Sequence, residues 1–241
     1  MQTLKFLGRG SAFNTEEGNT SAYFIYDNTF FLLDCGETVF HSLTANNKFK
    51  NLIEQNNIKE IQIYITHLHS DHVGSLSSLI YYCYFVLGIK PKIHHPHKES
   101  GAYTYFVLNQ LLRIQGHNDE YEFEKNPHRL IFNQPLEHAD GLNSYGYTIC
   151  LHEGANNIFY SGDCKELPES VLLNINKGFY KEIYLECSIN PSAVHMSIEY
   201  LDKVICRDRS VRDKIYLMHI DSPKLIPVAK QFGFKVVELN G

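Results

Sequence analysis

The sequence predicts a mixed α/β protein built as a layered αββα sandwich. Three observations predict this: strand patterns joined by turns fill the first third, strand and helix patterns alternate afterwards, and the composition is ordinary for a globular protein, with 44% hydrophobic and 20% charged residues. The 241 residues contain no internal repeat and no Pro- or Ser-rich linker. We therefore predict one domain over residues 1–241.

Short strands and one helix are predicted in the first third of the chain. Two aromatic and β-branched runs flank the turn pair Asp27-Asn28, which indicates a hairpin. Phe49, Leu52 and Ile53 recur at helical spacing and indicate a helix over residues 46–55. The predicted strands cover residues 4–7, 21–26, 29–33 and 61–65.

The remainder is predicted to alternate helices and strands. Residues 73–87 are apolar on nearly all sides and stop at Gly88, which is typical of a buried helix. A second helix is predicted over residues 103–114. The other predicted elements are a hairpin of 146–151 and 157–160 around Glu153-Gly154, strands 182–185 and 214–217 each preceded by a helical pattern, helices 196–206 and 224–231, and a final strand 234–239.

Composition also limits the location and the partners. No run of about 18 apolar residues exists, so we expect no membrane span. The opening segment is too short and too soon interrupted by Gly8 to resemble a signal peptide. Six scattered cysteines without a C-x-x-C pair indicate reduced thiols and a cytoplasmic protein, in the host cytoplasm if a phage encodes it. A formal charge of −5 argues against broad binding to nucleic acid.

The strongest local signal is the segment of residues 66–72, which holds three of the 13 histidines. Residues two apart on a strand share a face, so His67 and His69 should point the same way. Asp71 and His72 follow once the chain turns into the next helix. Three imidazoles and a carboxylate at this density suit a borderline ion such as zinc, with Zn–N distances of about 2.0–2.1 Å.

This segment, His67-Leu68-His69-Ser70-Asp71-His72, matches the H-x-H-x-D-H motif of the metallo-β-lactamase superfamily. Residues 7–12 and 31–37 resemble the opening of the ribonuclease Z branch. His138 lies where that branch has its third ligand histidine, Asp163 ends a run resembling its bridging aspartate, and His219 matches its last ligand. The resemblance therefore implies the four-layer metallo-β-lactamase sandwich.

The same resemblance implies a dinuclear site that holds a bridging hydroxide, in which Zn²⁺ is preferred and Mn²⁺ is the alternative. The implied ligands are His67, His69 and His138 for one ion, Asp71, His72 and His219 for the other, and Asp163 between them.

A proton donor is implied outside the ligand set. His195 matches the non-ligand histidine of the ribonuclease Z branch, and Glu186 matches the strand-end glutamate that holds it. Histidine is the usual acid for a departing alkoxide near neutral pH. We therefore expect His195 as the general acid and Glu186 as its orienting carboxylate, and we count Asp71 with them among the catalytic residues.

A second histidine group, His94, His95 and His97, is interrupted by Pro96 and has no nearby carboxylate in the sequence. We interpret it as a surface loop, with a role at the edge of the substrate as the alternative.

The segment between the third ligand histidine and the bridging aspartate bears on the substrate. The tRNA-holding arm of ribonuclease Z lies between its third histidine and its bridging aspartate, and here only 24 residues separate His138 from Asp163. The resemblance is strongest to armless cyclic-nucleotide phosphodiesterases of the anti-Pycsar type, which implies 3′,5′-cyclic nucleotides as substrates, evasion of anti-phage defence, and a homodimer.

Three alternatives stay open. They are a tRNA 3′-processing endonuclease of the ribonuclease Z type, a lactone or thioester hydrolase, and a protein that binds and sequesters nucleotides. The acidic stretch holding Asp119, Glu120, Glu122 and Glu124 disfavours the first, because carboxylates repel a phosphate backbone.

Overall fold

The computed structural model describes residues 2–96, 102–124, 129–151 and 156–239, with the side chains of 102–106 excepted. Within these ranges, two six-stranded sheets each belong to one of two compact units. The first unit takes the described parts of residues 4–8 and 18–124 together with residue 239, and the second takes those of 2–3, 9–17 and 129–238. The mixed α/β class is confirmed, whereas a single domain over 1–241 remains a prediction.

The sheet of the first unit has the order β1-β2-β3-β4-β5-β6. Its first three strands pair antiparallel, and the pairs from β3 to β6 are parallel. The strands are β1 Lys5–Gly8, β2 Ser21–Tyr26, β3 Thr29–Leu33, β4 Glu60–Tyr64, β5 Lys92–His94 and β6 Glu122–Phe123.

The predicted hairpin is confirmed between β2 and β3. Asp27 and Asn28 both adopt positive φ, 47° and 58°, as a two-residue hairpin turn that follows the sheet twist requires. Phe24 pairs with Phe31 across the strands, and their rings stack with centroids 4.6 Å apart. The parallel pairing of β3 with β4, in which Leu33 lies opposite Tyr64, then brings the end of β3 beside residues 66–72.

The helices of the first unit differ from the prediction in one respect. Residues 73–87 are not one buried helix: the helix breaks near Gly74 and finishes in a π-helical turn, Tyr82–Val86, in which Tyr84, Phe85 and Val86 are exposed. The helices are α1 Val39–Thr44, α2 Lys48–Gln55, α3 Ser70–Val73, α4 Leu76–Tyr81 and α5 Ala102–Ile114. The helix predicted over residues 46–55 is thus α2, which follows a 3₁₀ turn, Ala45–Asn47.

The sheet of the second unit has the order β12-β11-β10-β9-β8-β7. Here β7, β8 and β9 pair antiparallel, whereas β9 to β12 pair parallel. The predicted β8–β9 hairpin is confirmed, although its predicted turn, Glu153-Gly154, lies outside the described residues. The strands are β7 Ile131–Leu136, β8 Ser144–Leu151, β9 Asn156–Tyr160, β10 Glu182–Glu186, β11 Ile215–Met218 and β12 Lys235–Val236.

Four helices pack against this second sheet through one apolar cluster that includes Val171, Leu201 and Leu225 from the helices and Ile183 and Leu217 from the strands. The helices are α6 Glu169–Asn176, α7 Ile198–Val204, α8 Arg209–Arg212 and α9 Leu225–Gln231. Parallel strands are usually joined by such crossover helices, because the chain must return to the end of the sheet at which the previous strand began. The loops that lead from β9, β10 and β11 to the following helices therefore lie beyond the carboxyl ends of these strands.

The six cysteines are free, and four of them are buried. Across the described ranges, no helix combines the length and the apolar character needed to cross a membrane.

Gly36 lets the end of β3 approach the metal motif. The amide of Cys35 donates to the carbonyl of His72 over 2.7 Å, and the amide of Ser75 donates to the carbonyl of Cys35 over 3.1 Å. A Cβ on Gly36 would lie 1.9 Å from the carbonyl oxygen of Asp71, where no heavy atom can be accommodated. Only glycine permits this contact, so Gly36 sets the position of the loop that carries the motif.

Gly36→Ala should lower the free energy of unfolding by at least about 3 kcal/mol, because backbone must move to remove the overlap. Chemical denaturation would measure it. Gly141→Ala is the control, since Gly141 has φ of 76° and nothing within 4 Å of the added Cβ, so about 1–2 kcal/mol is expected there. Equal losses in the two variants would contradict a packing role for Gly36.

Candidate metal centre

The sequence-predicted site residues fall into two sets, one in each unit. In both, the side chains follow the carboxyl ends of strands, where the loops of parallel sheets commonly carry binding groups. The first set follows β4 and is made of His67, His69, Asp71 and His72. The second set lies at the end of β10 or after β7, β9, β10 and β11, and is made of His138, Asp163, Glu186, His195 and His219.

The first set is compact and largely buried. His67 and His69 face the same way, as expected, and His67 Nε2 lies 3.0 Å from His69 Nδ1. Helix α3 begins at Ser70, so that Asp71 and His72 lie in its first turn. His72 Nε2 is 3.4 Å from Asp71 Oδ2. A six-residue segment therefore provides two pairs of potential ligand atoms, His67 with His69 and Asp71 with His72.

Asp34, which the sequence analysis passed over, holds this segment in place. It is fully buried at the end of β3 and accepts hydrogen bonds from the amide and hydroxyl of Thr66, at 2.8 and 3.0 Å, and from His72 Nδ1 at 2.9 Å. Burial raises the pKa of the Asp34 carboxyl, and the contact with His72 opposes that rise. With its proton on Nδ1, His72 has its lone pair on Nε2, the atom that could bind a metal ion. An acid directly after an apolar strand was the available signal.

The second set is centred on Asp163. Its Oδ2 lies 3.2 Å from His219 Nε2, 3.8 Å from His138 Nε2 and 3.8 Å from His195 Nδ1. His138 Nδ1 donates a hydrogen bond to the carbonyl of Val194 over 2.8 Å, which leaves the lone pair on Nε2, the atom that could bind a metal ion. A backbone carbonyl thus orients this imidazole, as commonly happens beside metal sites.

Glu186 and His195 form the closest ion pair of the second set. His195 Nδ1 donates to Glu186 Oε2 over 2.8 Å, and the amides of Cys164 and Met196 donate to Glu186 Oε1 over 2.8 and 3.3 Å. Glu186 is fully buried, which raises its pKa, while the hydrogen bond from His195 opposes that rise. The His195 side chain keeps 27% of its surface exposed. An arriving molecule can therefore reach the imidazole of His195, while the hydrogen bond to Glu186 fixes the orientation of the ring.

The spacing of the donor atoms fits a divalent cation. Two ligands of one tetrahedral ion, each about 2.0–2.1 Å away, lie roughly 3.3 Å apart. The pairs within the units match this: His67–His69 at 3.0 Å, His72–Asp71 at 3.4 Å and His219–Asp163 at 3.2 Å. Within the second unit, one nitrogen or oxygen atom from each of Asp163, Glu186, His195 and His219 lies within 4.8 Å of the others, although Glu186 and His195 are expected to act outside the ligand set. Imidazole nitrogen and carboxylate oxygen are suitable ligands for such an ion.

The surface-loop interpretation of His94 and His95 is wrong. Both side chains are buried: His94 belongs to β5 and stacks on Tyr64 at a centroid distance of 4.1 Å, and His95 donates its Nδ1 proton to the carbonyl of Ile65 over 2.9 Å. Pairing of β5 with β4 carries these two residues into the unit. His97 lies outside the described residues.

Comparison with known families covers nearly the whole chain. Residues 2–237 match the sequence model of a family described as "Anti-Pycsar protein Apyc1". The chain belongs to the anti-Pycsar Apyc1 family. Two similar members are an Apyc1 protein of Paenibacillus harenae, 26% identical over 237 residues, and one of Bacillus phage 010DV004, 25% identical over 240 residues. Each match covers 90% of this chain and 88% of the relative.

Solved structures show the fold of this Apyc1 family member. Human tRNase Z, short form, superposes with a TM-score of 0.67 at 16% identity, covering 98% of this chain and 96% of the other. A metallo-β-lactamase fold protein of Bacillus subtilis gives 0.68 at 14% identity, covering 99% and 96%. The predicted metallo-β-lactamase fold is confirmed, and so is the prediction of a metal-dependent hydrolase.

Asp34→Asn should destabilise this Apyc1 family member even without metal. The amide keeps the shape of the side chain but removes the negative charge of the carboxylate that accepts hydrogen bonds from His72 and Thr66. Hydrogen bonds to charged groups contribute about 1.5–3 kcal/mol to stability. Urea denaturation in the presence of a chelator would measure the change. The exposed turn residue Asp27 provides the control Asp27→Asn, and an equal effect in both variants would contradict the role of Asp34.

Proposed function

We propose that the chain is a dinuclear-metal phosphodiesterase that hydrolyses 3′,5′-cyclic nucleotides to nucleoside monophosphates. The observation that carries the proposal is the Glu186–His195 pair, 2.8 Å apart beside the proposed ligand Asp163. Opening a phosphodiester ring produces an alkoxide, which needs a proton. A sequestering protein requires no such donor, and neither does a thioester hydrolase, because a thiolate leaves without being protonated. The relatives' name, Anti-Pycsar, supports a cyclic nucleotide as the substrate.

We assign the metal ligands as the resemblance implies. Zn²⁺ is the preferred ion because imidazole nitrogens dominate the set, and Mn²⁺ is the alternative. When bound, a pair of divalent cations supplies an activated water and neutralises charge on the phosphate. The proposed ligands are His67, His69 and His138 for one ion, Asp71, His72 and His219 for the other, and Asp163 between them.

The chain's own residues divide the remaining work. Glu186 accepts a hydrogen bond from His195 Nδ1, so that nitrogen keeps its proton. The proton on Nε2 is then the one that His195 can give to the leaving oxygen. His195 is therefore assigned as the general acid and Glu186 as its positioning residue, while Asp71 takes part through the metal.

A small substrate is favoured over tRNA. The 24 residues between His138 and Asp163 include both strands of the β8–β9 hairpin. Too few residues are left at this position for an RNA-holding arm. The formal charge of −5 adds to this, because binding a polyanion through many phosphates needs compensating positive charge.

A substrate panel tests the proposed function. Purified protein with added Zn²⁺ or Mn²⁺ should open 3′,5′-cyclic mononucleotides, should cleave a generic aryl phosphodiester more slowly, and should leave pre-tRNA intact. Metal analysis should give two ions per chain, and chelation should abolish turnover until metal is restored. Rapid tRNA trimming with inert cyclic nucleotides would overturn the proposal. Absence of turnover despite two bound ions would favour the lactone or sequestering alternatives.

His195→Ala should lower kcat for cyclic nucleotides by about 10²- to 10⁴-fold, the range that a positioned general acid contributes. Metal content, measured by elemental analysis, should stay at the wild-type value. His41→Ala is the matched control, because His41 is an exposed helical histidine in the first unit. If His195→Ala lost its metal, the residue would be a ligand and the assignment would fail.

We further propose that the protein forms a homodimer through exposed apolar side chains of the first unit. Phe85 and Ile114 are 67% and 83% exposed, and Leu111 is also exposed. Tyr81 connects the π-helical turn with the end of α5. Its ring stacks on Phe85, and its hydroxyl donates a hydrogen bond to the carbonyl of Gln115. Apolar surface of this kind commonly marks a protein interface, and the family resemblance supports a second copy as the occupant.

Phe85→Glu combined with Ile114→Glu should convert the dimer to a monomer, because an interface cannot bury an unpaired charge. Light scattering coupled to gel filtration would measure the mass. Leu173→Glu, at a similarly exposed position on α6 of the second unit, should leave the dimer intact. A monomeric wild-type protein would contradict the assignment, as would a double variant that stays dimeric.

A further inference from the structure

Phe13 stands out among the side chains of the second unit. It lies in the loop between β1 and β2, residues 9–17, and 97% of its surface is exposed. No other large hydrophobic side chain among those described is as exposed. Isolated exposed apolar residues are common on protein surfaces, but the loop that carries this ring is bonded beside a proposed metal ligand.

The loop is joined to the residue that follows a proposed metal ligand. Gly10 forms a parallel β-bridge with Ile220, which comes directly after His219. The amide of Ile220 donates to the carbonyl of Arg9 over 2.8 Å, and its carbonyl accepts from the amide of Ser11 at 3.1 Å. The side-chain amide of Asn14 donates to the same carbonyl over 2.9 Å. Both sides of Phe13 are therefore tied to one residue.

The ends of the loop are also tied to each other. The Arg9 guanidinium pairs with the Glu17 carboxylate at 2.8 Å, and the Arg9 amide donates to the Glu17 carbonyl over 3.1 Å. A turn closes inside the loop, where the amide of Asn14 donates to the carbonyl of Ser11 over 3.1 Å. The exposed ring is thus carried by a braced loop, and ordering the loop costs little further entropy when a ligand arrives.

The position of the loop limits how far the ring stands from the ligand residue. Consecutive Cα atoms lie about 3.8 Å apart, so Phe13 is at most roughly 11 Å along the chain from Gly10, which is paired beside His219. An aromatic face at this range can contact the base of a nucleotide whose phosphate lies at the proposed metal ligand. Stacking on aromatic side chains is a common means of holding a nucleobase.

We propose that Phe13 is a specificity-determining residue that stacks on the nucleobase of the cyclic nucleotide. This inference rests on the proposed function and deepens it, because it assigns the base to the β1–β2 loop and leaves the phosphate to the metal ligands. Stacking tolerates any base with a π face, so Phe13 favours nucleotides over base-free phosphodiesters without selecting one base.

A direct binding experiment uses the absence of tryptophan from the chain. Phe13→Trp creates a protein with one tryptophan, whose fluorescence should be quenched, saturably, by a hydrolysis-resistant cyclic nucleotide phosphorothioate. Ribose 3′,5′-cyclic phosphate, which has no base, should not quench it. Phe132→Trp, at an exposed position on β7, is the control and should stay unquenched. Fluorescence that follows protein concentration and ignores nucleotide would make Phe13 a contact between copies and overturn the inference.

Kinetics separate this inference from the proposed function. Phe13→Ala should lower kcat/KM for cyclic nucleotides by about 5- to 30-fold, mainly through KM, and Phe13→Tyr should restore it. Turnover of the base-free cyclic phosphate should change less than about twofold, since the lost interaction is with the base. Equal loss on both substrates would overturn the stacking role while the proposed function stands. Failure of the wild-type protein to open cyclic nucleotides would instead overturn the proposed function.

Discussion

In each unit a carboxylate is buried at the end of a strand, and its hydrogen bonds fix the loops that carry the proposed ligands. Asp34 holds Thr66 and His72, and Glu186 holds His195 together with the amides beyond β9 and before α7. A buried charge without partners is expensive, so the surrounding donors must be brought to it before the unit is stable. The contacts that position these loops therefore also contribute to the stability of each unit.

This arrangement places conformational cost where chemistry is proposed. Asp34 and His219 both have positive φ, 62° and 53°, which non-glycine residues rarely adopt. The hydrogen bonds at Asp34 and the β-bridge next to His219 offset that cost locally. A rigid set of donors needs no rearrangement when an ion binds, and an imidazole held by a carboxylate needs none when it transfers a proton.

The family and the fold leave the choice of substrate to the loops. The chain shares its fold with human tRNase Z, short form, and its segment between His138 and Asp163 contains strands β8 and β9, which pair antiparallel. The β1–β2 loop, by contrast, is fastened beside His219 and exposes Phe13. In the proposed function, the residues at the strand ends carry out the reaction. The length and the side chains of the loops select the phosphodiester that binds.

Sequence alone determined the features that depend on neighbours along the chain. The β2–β3 hairpin follows from its turn pair, and the motif at residues 67–72 follows from spacing on a strand end and one helical turn. Only the tertiary structure decided the role of Asp34, which meets His72 from 38 residues away, and the burial of His94, which a pairing between β4 and β5 imposes. Periodicity and turn chemistry are local properties, whereas burial and the partners of a buried charge depend on segments that are distant in sequence.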